Sequence, residues 1–212
     1  MNALKLFPLS LLAAILMSSC SENDKKQVNS TPPVSKHKLT EPFRFHKALE
    51  VKPGLTFDVL SWGRGSDSTG AYLILRSDST HLKYKSTTGE LDGKIEDAWN
   101  MDLDSDGNPE LFIQANTKGK DSHLNMYVYE FGKDGNPQQI RFPDLSASMK
   151  KGYKGKDSIY IKDGKLMREF PLFIDTDAEN KPSGGKRTIE YHLRNNSFTA
   201  NEIKNESEKD NK

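Results

Sequence analysis

Hydrophobic and polar residues alternate along much of the chain between residues 42 and 200. In the segment RTIEYHLR, the apolar residues Ile189, Tyr191 and Leu193 fall on one face, with polar residues between them. This period of two is typical of a β-strand with one buried face, because successive side chains of a strand point to opposite sides of its sheet. The pattern therefore predicts a strand here.

Further strand-like segments are separated by turn signals rather than by helical periodicity. They are TFDVLS, AYLILR, THLKYK, LFIQAN, NMYVYEF, SIYIKDGKLMREF and SFTA. Within one of them, Asp163-Gly164 predicts a tight hairpin, since this dipeptide suits a two-residue turn with positive φ angles. We therefore predict an all-β fold, an antiparallel β-sandwich of about eight to ten short strands.

The N-terminus has the features of an export signal. One lysine, Lys5, precedes an apolar run and small residues, and Cys20, the single cysteine, follows. The run is shorter than the roughly 20 residues that span a bilayer, and its end resembles the lipobox of bacterial lipoproteins. We predict a lipoprotein signal peptide at residues 1–19 with lipid attachment at Cys20. The alternative is an ordinary signal peptide with an incidental cysteine.

Polar segments flank the predicted strands on both sides. Residues 20–41 contain a Pro-Pro pair and no apolar periodicity, which predicts a lipid-anchored disordered linker. Residues 201–212 predict a disordered charged tail. The remaining residues, 42–200, have the ordinary size of one domain. The predicted location is the bacterial cell envelope, with the lipid in the outer membrane and the domain on its periplasmic or surface face.

Charge and residue types exclude several classes of function. The chain has 31 basic and 30 acidic residues, and removal of Lys5 with the signal peptide leaves 30 of each. This balance gives no electrostatic reason to expect nucleic acid as a partner. The histidines lack metal-ligand spacing and there is no G-x-S-x-G element. We therefore predict a binding protein that is not an enzyme and has no cofactor, with calcium as an open question.

The segment DLDSDGNPEL, residues 102–111, is the candidate metal site. Alternating aspartates ahead of a glycine can place several carboxylates around one hard cation. An EF-hand is not expected, because Ile113 occupies the position of its bidentate glutamate and a strand follows. A shorter calcium loop stays open. Its candidate ligands are Asp102, Asp104, Asp106, Asn108 and Glu110.

Two other interpretations of this segment stay open as well. In the simplest one, the aspartates cap a β-turn through bonds from backbone N–H groups to their side chains, and Pro109 starts the next strand. In the other, the carboxylates form a general acid and base, which requires environments that separate their pKa values.

The segment NTKGKDSHLN is a candidate partner-binding loop. It is longer than a minimal hairpin turn and mixes both charges with serine and histidine. Loops presented on a rigid sheet often carry binding residues, although a solvated hairpin connection would have the same composition. The candidate residues are Lys118, Gly119, Lys120, Asp121, Ser122 and His123.

Four segments, in this order within residues 95–194, resemble the bacterial periplasmic inhibitors of invertebrate-type lysozyme. They are IEDAWNMDLDSDGNPELFI, MYVYEF, GYKGKDSIYIKDGKLMREFPLF and DTDAENKPSGGKRTIEYHL. They are similar to the Asp-rich turn, the aromatic strand, the Gly-Tyr-x-Gly-x-Asp stretch with its Arg-x-Phe-Pro run, and the closing Pro-x-Gly-Gly-x-Arg strand of that family.

The resemblance implies a β-sandwich without catalytic residues that blocks a muramidase by placing a protruding loop in its cleft. The expected partners are a lysozyme-like hydrolase and, through the N-terminal lipid, a membrane. The inhibitory loop of the family carries a Ser-Gly-x-Tyr type element, whereas this chain has TKGKDSHLNMY in that region. A non-inhibitory structural or interaction lipoprotein of the envelope, stabilised by calcium, is therefore the alternative.

Overall fold

Twelve strands form the domain in a computed structural model that describes residues 39–66, 68–117, 122–178 and 181–203. Their bounds are β1 (Phe43–Lys52), β2 (Leu55–Trp62), β3 (Thr69–Asp78), β4 (Lys83–Asp92), β5 (Lys94–Met101), β6 (Glu110–Asn116), β7 (Leu124–Phe131), β8 (Pro137–Ile140), β9 (Ser158–Lys162), β10 (Lys165–Pro171), β11 (Lys186–Arg194) and β12 (Ser197–Ile203). Cys20 and the predicted signal peptide and linker, up to residue 38, lie outside the described residues.

The strands form three sheets of four, and each strand pairs antiparallel with its neighbours in sequence. The first sheet contains β1 to β4, the second β5 to β8 and the third β9 to β12, so the pairing of sequence neighbours is interrupted between β4 and β5 and between β8 and β9. One hydrophobic core joins residues of the first and second sheets, and another joins residues of the second and third. The second sheet therefore contributes side chains to both cores.

Strand β6 has both of its faces buried. Leu111 and Ile113 belong to the core shared with the first sheet, whereas Phe112 belongs to the core shared with the third. This position explains the nearly unbroken apolar run of the strand, because a strand covered on both faces has no solvent side that requires polar residues.

Aromatic side chains fill both cores. In the first, the hydroxyl groups of Tyr72 and Tyr129 lie 2.6 Å apart, and burial raises the pKa of Tyr72 far above its usual value. In the second, the Trp99 and Phe112 rings stack at 5.5 Å. The Phe142 ring packs 4.5 Å from that of Tyr191 on β11. Phe142 also lines the cleft that is described below as the candidate site.

The predicted tight hairpin is confirmed. Lys162 pairs with Lys165 across the turn, and Asp163 and Gly164 both have positive φ angles, 51° and 74°. Two residues in this left-handed region match the right-handed twist of the flanking strands, which is why Asp-Gly suits the position.

The predicted all-β antiparallel class is also confirmed, with twelve strands where eight to ten were expected. The alternation of apolar and polar residues did not predict strand β5, because a register shift between Ile95 and Asp97 interrupts its period of two. Strand β12 continues to Ile203, three residues into the segment predicted as a tail. In the part of the chain that the structure describes, no helix is long and apolar enough to cross a membrane.

Candidate functional site

A cleft of about 650 Å³ opens beside the connection between β6 and β7. Its walls combine the apolar side chains of Met126 and Phe142 with the polar side chains of Ser122, His123 and Lys154. An apolar floor with a few polar groups at the rim is the usual composition of a binding site. The cleft is therefore the candidate functional site.

The predicted partner-binding loop forms one edge of this cleft. Its middle, residues 118–121 with Lys118, Gly119, Lys120 and Asp121, lies outside the described residues. Hydrogen bonds join its ends: among them, the Thr117 N–H donates to the His123 carbonyl at 3.0 Å, and the His123 N–H donates to the Thr117 hydroxyl at 2.9 Å. We call Thr117, Ser122 and His123 the loop base.

The segment before β9 packs directly against the loop base. Gly155 has a φ angle of +80°, and a Cβ atom at this position would stand 1.7 Å from the carbonyl oxygen of Ser122. Glycine is required here for two reasons, because other residues rarely adopt this φ and because a side chain would overlap the backbone of the loop. The two backbones are consequently in direct contact.

A buried cluster of polar side chains holds this segment in place. The Asp157 carboxylate accepts hydrogen bonds from Arg168 Nε and from the Tyr153 hydroxyl, both at 2.6 Å. Arg168 Nη2 also donates to the Tyr153 oxygen at 3.1 Å, and Arg168 Nη1 donates to the Tyr191 oxygen at 3.5 Å. We call these four residues the Arg168 cluster.

The charges in the Arg168 cluster compensate each other. The side chains of Arg168 and Asp157 are only 6% and 2% exposed. Burial alone would lower the pKa of Arg168, but the Asp157 charge raises it, so the guanidinium stays protonated. Burial and the hydrogen bond to Asp157 raise the pKa of Tyr153 to about 12. The cluster is therefore a structural brace rather than a source of cationic charge for a ligand.

A second anchor reaches the same segment from β11. Arg187 Nη1 donates to the carbonyl oxygens of Met149 and Lys151, at 2.8 and 2.9 Å. The backbone of Gly184 and Gly185 pairs with that of Leu172 through two bonds of 2.9 Å. The structure thus brings together three of the segments that resembled the inhibitor family, and all three support the cleft wall.

The candidate metal residues lie elsewhere, in the connection between β5 and β6 that we call the aspartate loop (residues 102–110). Asp102 accepts hydrogen bonds from the backbone N–H groups of Asp106 at 3.0 Å and Gly107 at 2.9 Å. Asp106 accepts one from the Asn108 N–H at 2.7 Å. The turn-capping interpretation is therefore confirmed for Asp102 and Asp106.

Glu110 and Asp104 are less exposed to solvent than the two capping aspartates. Glu110 is fully buried, and burial followed by the charges of Asp104 and Asp102 raises its pKa to about 7. Burial likewise raises the pKa of Asp104. Asn108 turns its side-chain amide away and donates to Glu130 at 2.5 Å. Of the five candidate ligands, the structure therefore groups the carboxylates of Asp102, Asp104 and Asp106. Glu110 is buried outside that group, and the Asn108 side chain is separated from it.

The two candidate sites lie at opposite ends of β6, which begins at Glu110 and ends at Asn116. Seven residues of extended strand separate them by roughly 20 Å. Sequence patterns missed the Arg168 cluster as part of a site, although Tyr153, Asp157 and Arg168 lie in the quoted Gly-Tyr-x-Gly-x-Asp and Arg-x-Phe-Pro segments and Tyr191 lies in the closing strand. Comparison with protein-family models, with curated proteins and with solved structures finds no match to this chain.

Proposed function

We propose that this protein is a lipid-anchored protein of the bacterial envelope that binds and inhibits a lysozyme-like hydrolase. The loop between β6 and β7 and the adjoining cleft would form the binding surface. The proposal combines the ordered resemblance of residues 95–194 to lysozyme inhibitors with the way in which the loop base is held.

The observation that carries the proposal is the backbone contact between Gly155 and Ser122. It fixes one end of the loop against a segment that the Arg168 cluster and Arg187 hold rigidly. An inhibitory loop benefits from such support, because ordering a flexible segment on binding costs free energy that the contacts must offset. This support comes from outside the loop, from the segment before β9.

The chemistry of the rim suits a target with an acidic cleft. Glycoside hydrolases of this kind work with a pair of carboxyl groups, and a lysine ammonium can engage a carboxylate through charge-assisted hydrogen bonds. Lys150 and Lys154 line the cleft and are exposed. Arg168 also lines it, but its charge is already paired with Asp157. Lys154 is therefore the cation that we expect to contribute most.

The test is inhibition of a panel of invertebrate-type, goose-type and chicken-type lysozymes by the full chain at micromolar concentration. We expect inhibition of at least one class, weakened in the Lys154→Glu variant. Lys83→Glu is the matched control, because Lys83 is exposed on β4 of the first sheet and the change in net charge is the same. Equal weakening by both variants would indicate non-specific attraction. No inhibition of any class would remove the proposal.

A second function is favoured by one observation, the sequence of the loop itself. TKGKDSHLNMY lacks the Ser-Gly-x-Tyr type element of the inhibitors it resembles. The same supported loop would then bind another envelope component, and the protein would be a structural or interaction lipoprotein. Recovery of bound proteins from its own envelope, compared with added lysozymes, separates the two functions.

A further inference from the structure

We propose that the aspartate loop binds one calcium ion through carboxylate oxygens. The ligands are the clustered carboxylates of Asp102, Asp104 and Asp106, and we assign the buried Glu110 as the fourth. The site lies at the opposite end of β6 from the loop base, so the inference does not depend on the proposed inhibitory function.

The main observation is a buried carboxylate with an unsatisfied oxygen. Glu110 has no solvent exposure, and among the described residues no donor reaches its Oε1 atom. Asp104 Oδ1 is likewise buried and has no partner within that part of the chain. Burying a charged oxygen without a partner costs more free energy than burying a neutral one. A cation between the two carboxylates would remove that cost.

The distances between the aspartates fit a single ion. One carboxylate oxygen from each of Asp102, Asp104 and Asp106 lies within 4.8 Å of the others. Calcium binds oxygen at about 2.3–2.6 Å, so two oxygens on opposite sides of one ion are about 5 Å apart. Glu110 is outside that group of three but is tied to the same loop, since its Oε2 accepts a hydrogen bond at 2.9 Å from the N–H of Leu103, which lies between Asp102 and Asp104 in the sequence.

The capping hydrogen bonds leave room for metal binding. Both oxygens of Asp102 accept backbone N–H groups, but a carboxylate oxygen has a second lone pair that can bind a cation. Asp106 uses only Oδ1 for capping. Turn capping and calcium binding are therefore compatible functions of the same side chains.

Electrostatics in the loop also favour a cation. Among the described residues, no lysine, arginine or histidine forms an ion pair with any of the four carboxylates. The loop thus concentrates negative charge that nothing described on the protein neutralises.

Calcium fits this ligand set better than magnesium does. Magnesium keeps several water molecules and usually takes one or two carboxylates, whereas calcium accepts six to eight oxygen ligands in flexible geometry. Four carboxylates from one loop, two of them exposed to solvent and two withdrawn from it, match the second pattern. Bound calcium would also fasten the start of β6, whose next residues are the core residues Leu111, Phe112 and Ile113.

The test is titration of the EDTA-treated full chain with calcium chloride, followed by calorimetry and by thermal unfolding. We expect one ion per chain and a rise in melting temperature, because a ligand that binds only the folded state stabilises it by mass action. Glu110→Gln should weaken binding at least tenfold, since even partners outside the ligand sphere contribute about 10- to 100-fold. Asp104→Asn should act in the same direction and provides a second variant.

Asp134→Asn is the matched control. Asp134 also caps a turn, accepting a hydrogen bond from the Asn136 N–H at 3.0 Å, but it lies outside the proposed site, and its substitution should leave calcium affinity unchanged. The inference would be overturned by a flat titration, or by an undiminished response in both Glu110→Gln and Asp104→Asn. An equal response to magnesium would overturn the choice of calcium. A failed lysozyme panel would leave all these results unaffected.

Discussion

The Arg168 cluster and the aspartate loop both remove carboxylates from solvent, and they differ in what stands beside those carboxylates. Asp157 has a guanidinium at 2.6 Å and a tyrosine hydroxyl at the same distance. Glu110 has one backbone N–H and the charges of two aspartates near it. The first cluster is complete within the chain, whereas the second has oxygens left for a ligand.

This difference makes the Arg168 cluster a stabilising element of the fold and the aspartate loop a candidate binding site. A buried ion pair is sustained by the balance between desolvation and mutual attraction, and removing one partner exposes the whole desolvation cost of the other. A buried carboxylate beside other carboxylates has no attraction to offset its desolvation until a cation binds. The four predictions below test the comparison, beginning with the largest expected effect.

The largest effect is expected for Asp157→Ala. The substitution leaves the Arg168 guanidinium buried and unpaired, and breaking a buried pair in this way costs about 3–5 kcal/mol. The free energy of unfolding, measured by urea denaturation, should fall by that amount. Asp144→Ala is the control, since its pair with Arg141 is 3.4 Å long and mostly exposed, and exposed pairs contribute little. Equal losses in the two variants would show that the cluster is not a brace.

The second prediction concerns calcium in the two regions. At 100 times its dissociation constant, calcium should raise the free energy of unfolding by about 2.7 kcal/mol. Asp157→Ala should retain this increment, because distant sites with no shared partners usually contribute additively. Urea denaturation in calcium and in EDTA measures both quantities. Loss of the increment in Asp157→Ala would mean that the two regions are coupled rather than independent.

The third prediction compares two glycines with similar backbone. Gly155 and Gly164 have φ angles of +80° and +74°, but a Cβ atom overlaps Ser122 at the first and meets nothing within 4 Å at the second. Alanine at either position should cost about 1–2 kcal/mol for the left-handed backbone. Gly155→Ala should cost about 1–3 kcal/mol more for the overlap. It should also weaken lysozyme inhibition, whereas Gly164→Ala should not.

Unfolding by urea and the inhibition assay together measure the outcome. Equal losses in the free energy of unfolding in the two glycine variants would show that the loop base accommodates the added Cβ atom without loss of stability. Such a result would remove the support on which the proposed function rests, while the comparison of buried charges would stand on the first two predictions.

Local sequence patterns were sufficient for the strands that obey a simple period. Ile189, Tyr191 and Leu193 are buried on one face of β11, as the alternation predicted, but Thr188 and Glu190 on the other face are buried as well. The Asp-Gly turn between β9 and β10 was predictable for the same reason, since the required φ angles depend on two adjacent residues. A local pattern does not predict a strand such as β5, because the register shift between Ile95 and Asp97 changes the period within the strand.

The Arg168 cluster was partly within reach of the sequence. Once the hairpin turn is placed at Asp163 and Gly164, Arg168 pairs with Ile159, and Asp157 is a diagonal neighbour close enough for a long side chain. Burial of this pair was not predictable, because it depends on Tyr191 from β11 and on the cover of a second sheet. The burial of Glu110 is non-local in the same way, since a glutamate after a proline ordinarily suggests an exposed strand end.

The smallest expected effect is a change in stability at high pH. Burial and the Asp157 hydrogen bond raise the pKa of Tyr153 to about 12 in the folded protein, against about 10 in the unfolded chain. The folded state therefore holds this proton more firmly. The resulting stabilisation is complete below pH 10 and is lost as the pH rises to about 12.

Tyr153→Phe should make the decline in the free energy of unfolding between pH 10 and pH 12 less steep. Some decline should remain, because the pKa values of Tyr72, Tyr127 and Tyr191 are raised as well. Glu110→Gln should leave the slope unchanged, since the pKa of Glu110 is about 7, well below that range. Urea denaturation across this pH range measures the slopes. If Tyr153→Phe kept the slope of the unmodified protein, the tyrosine hydroxyl would not be part of the charge balance that distinguishes the Arg168 cluster from the aspartate loop.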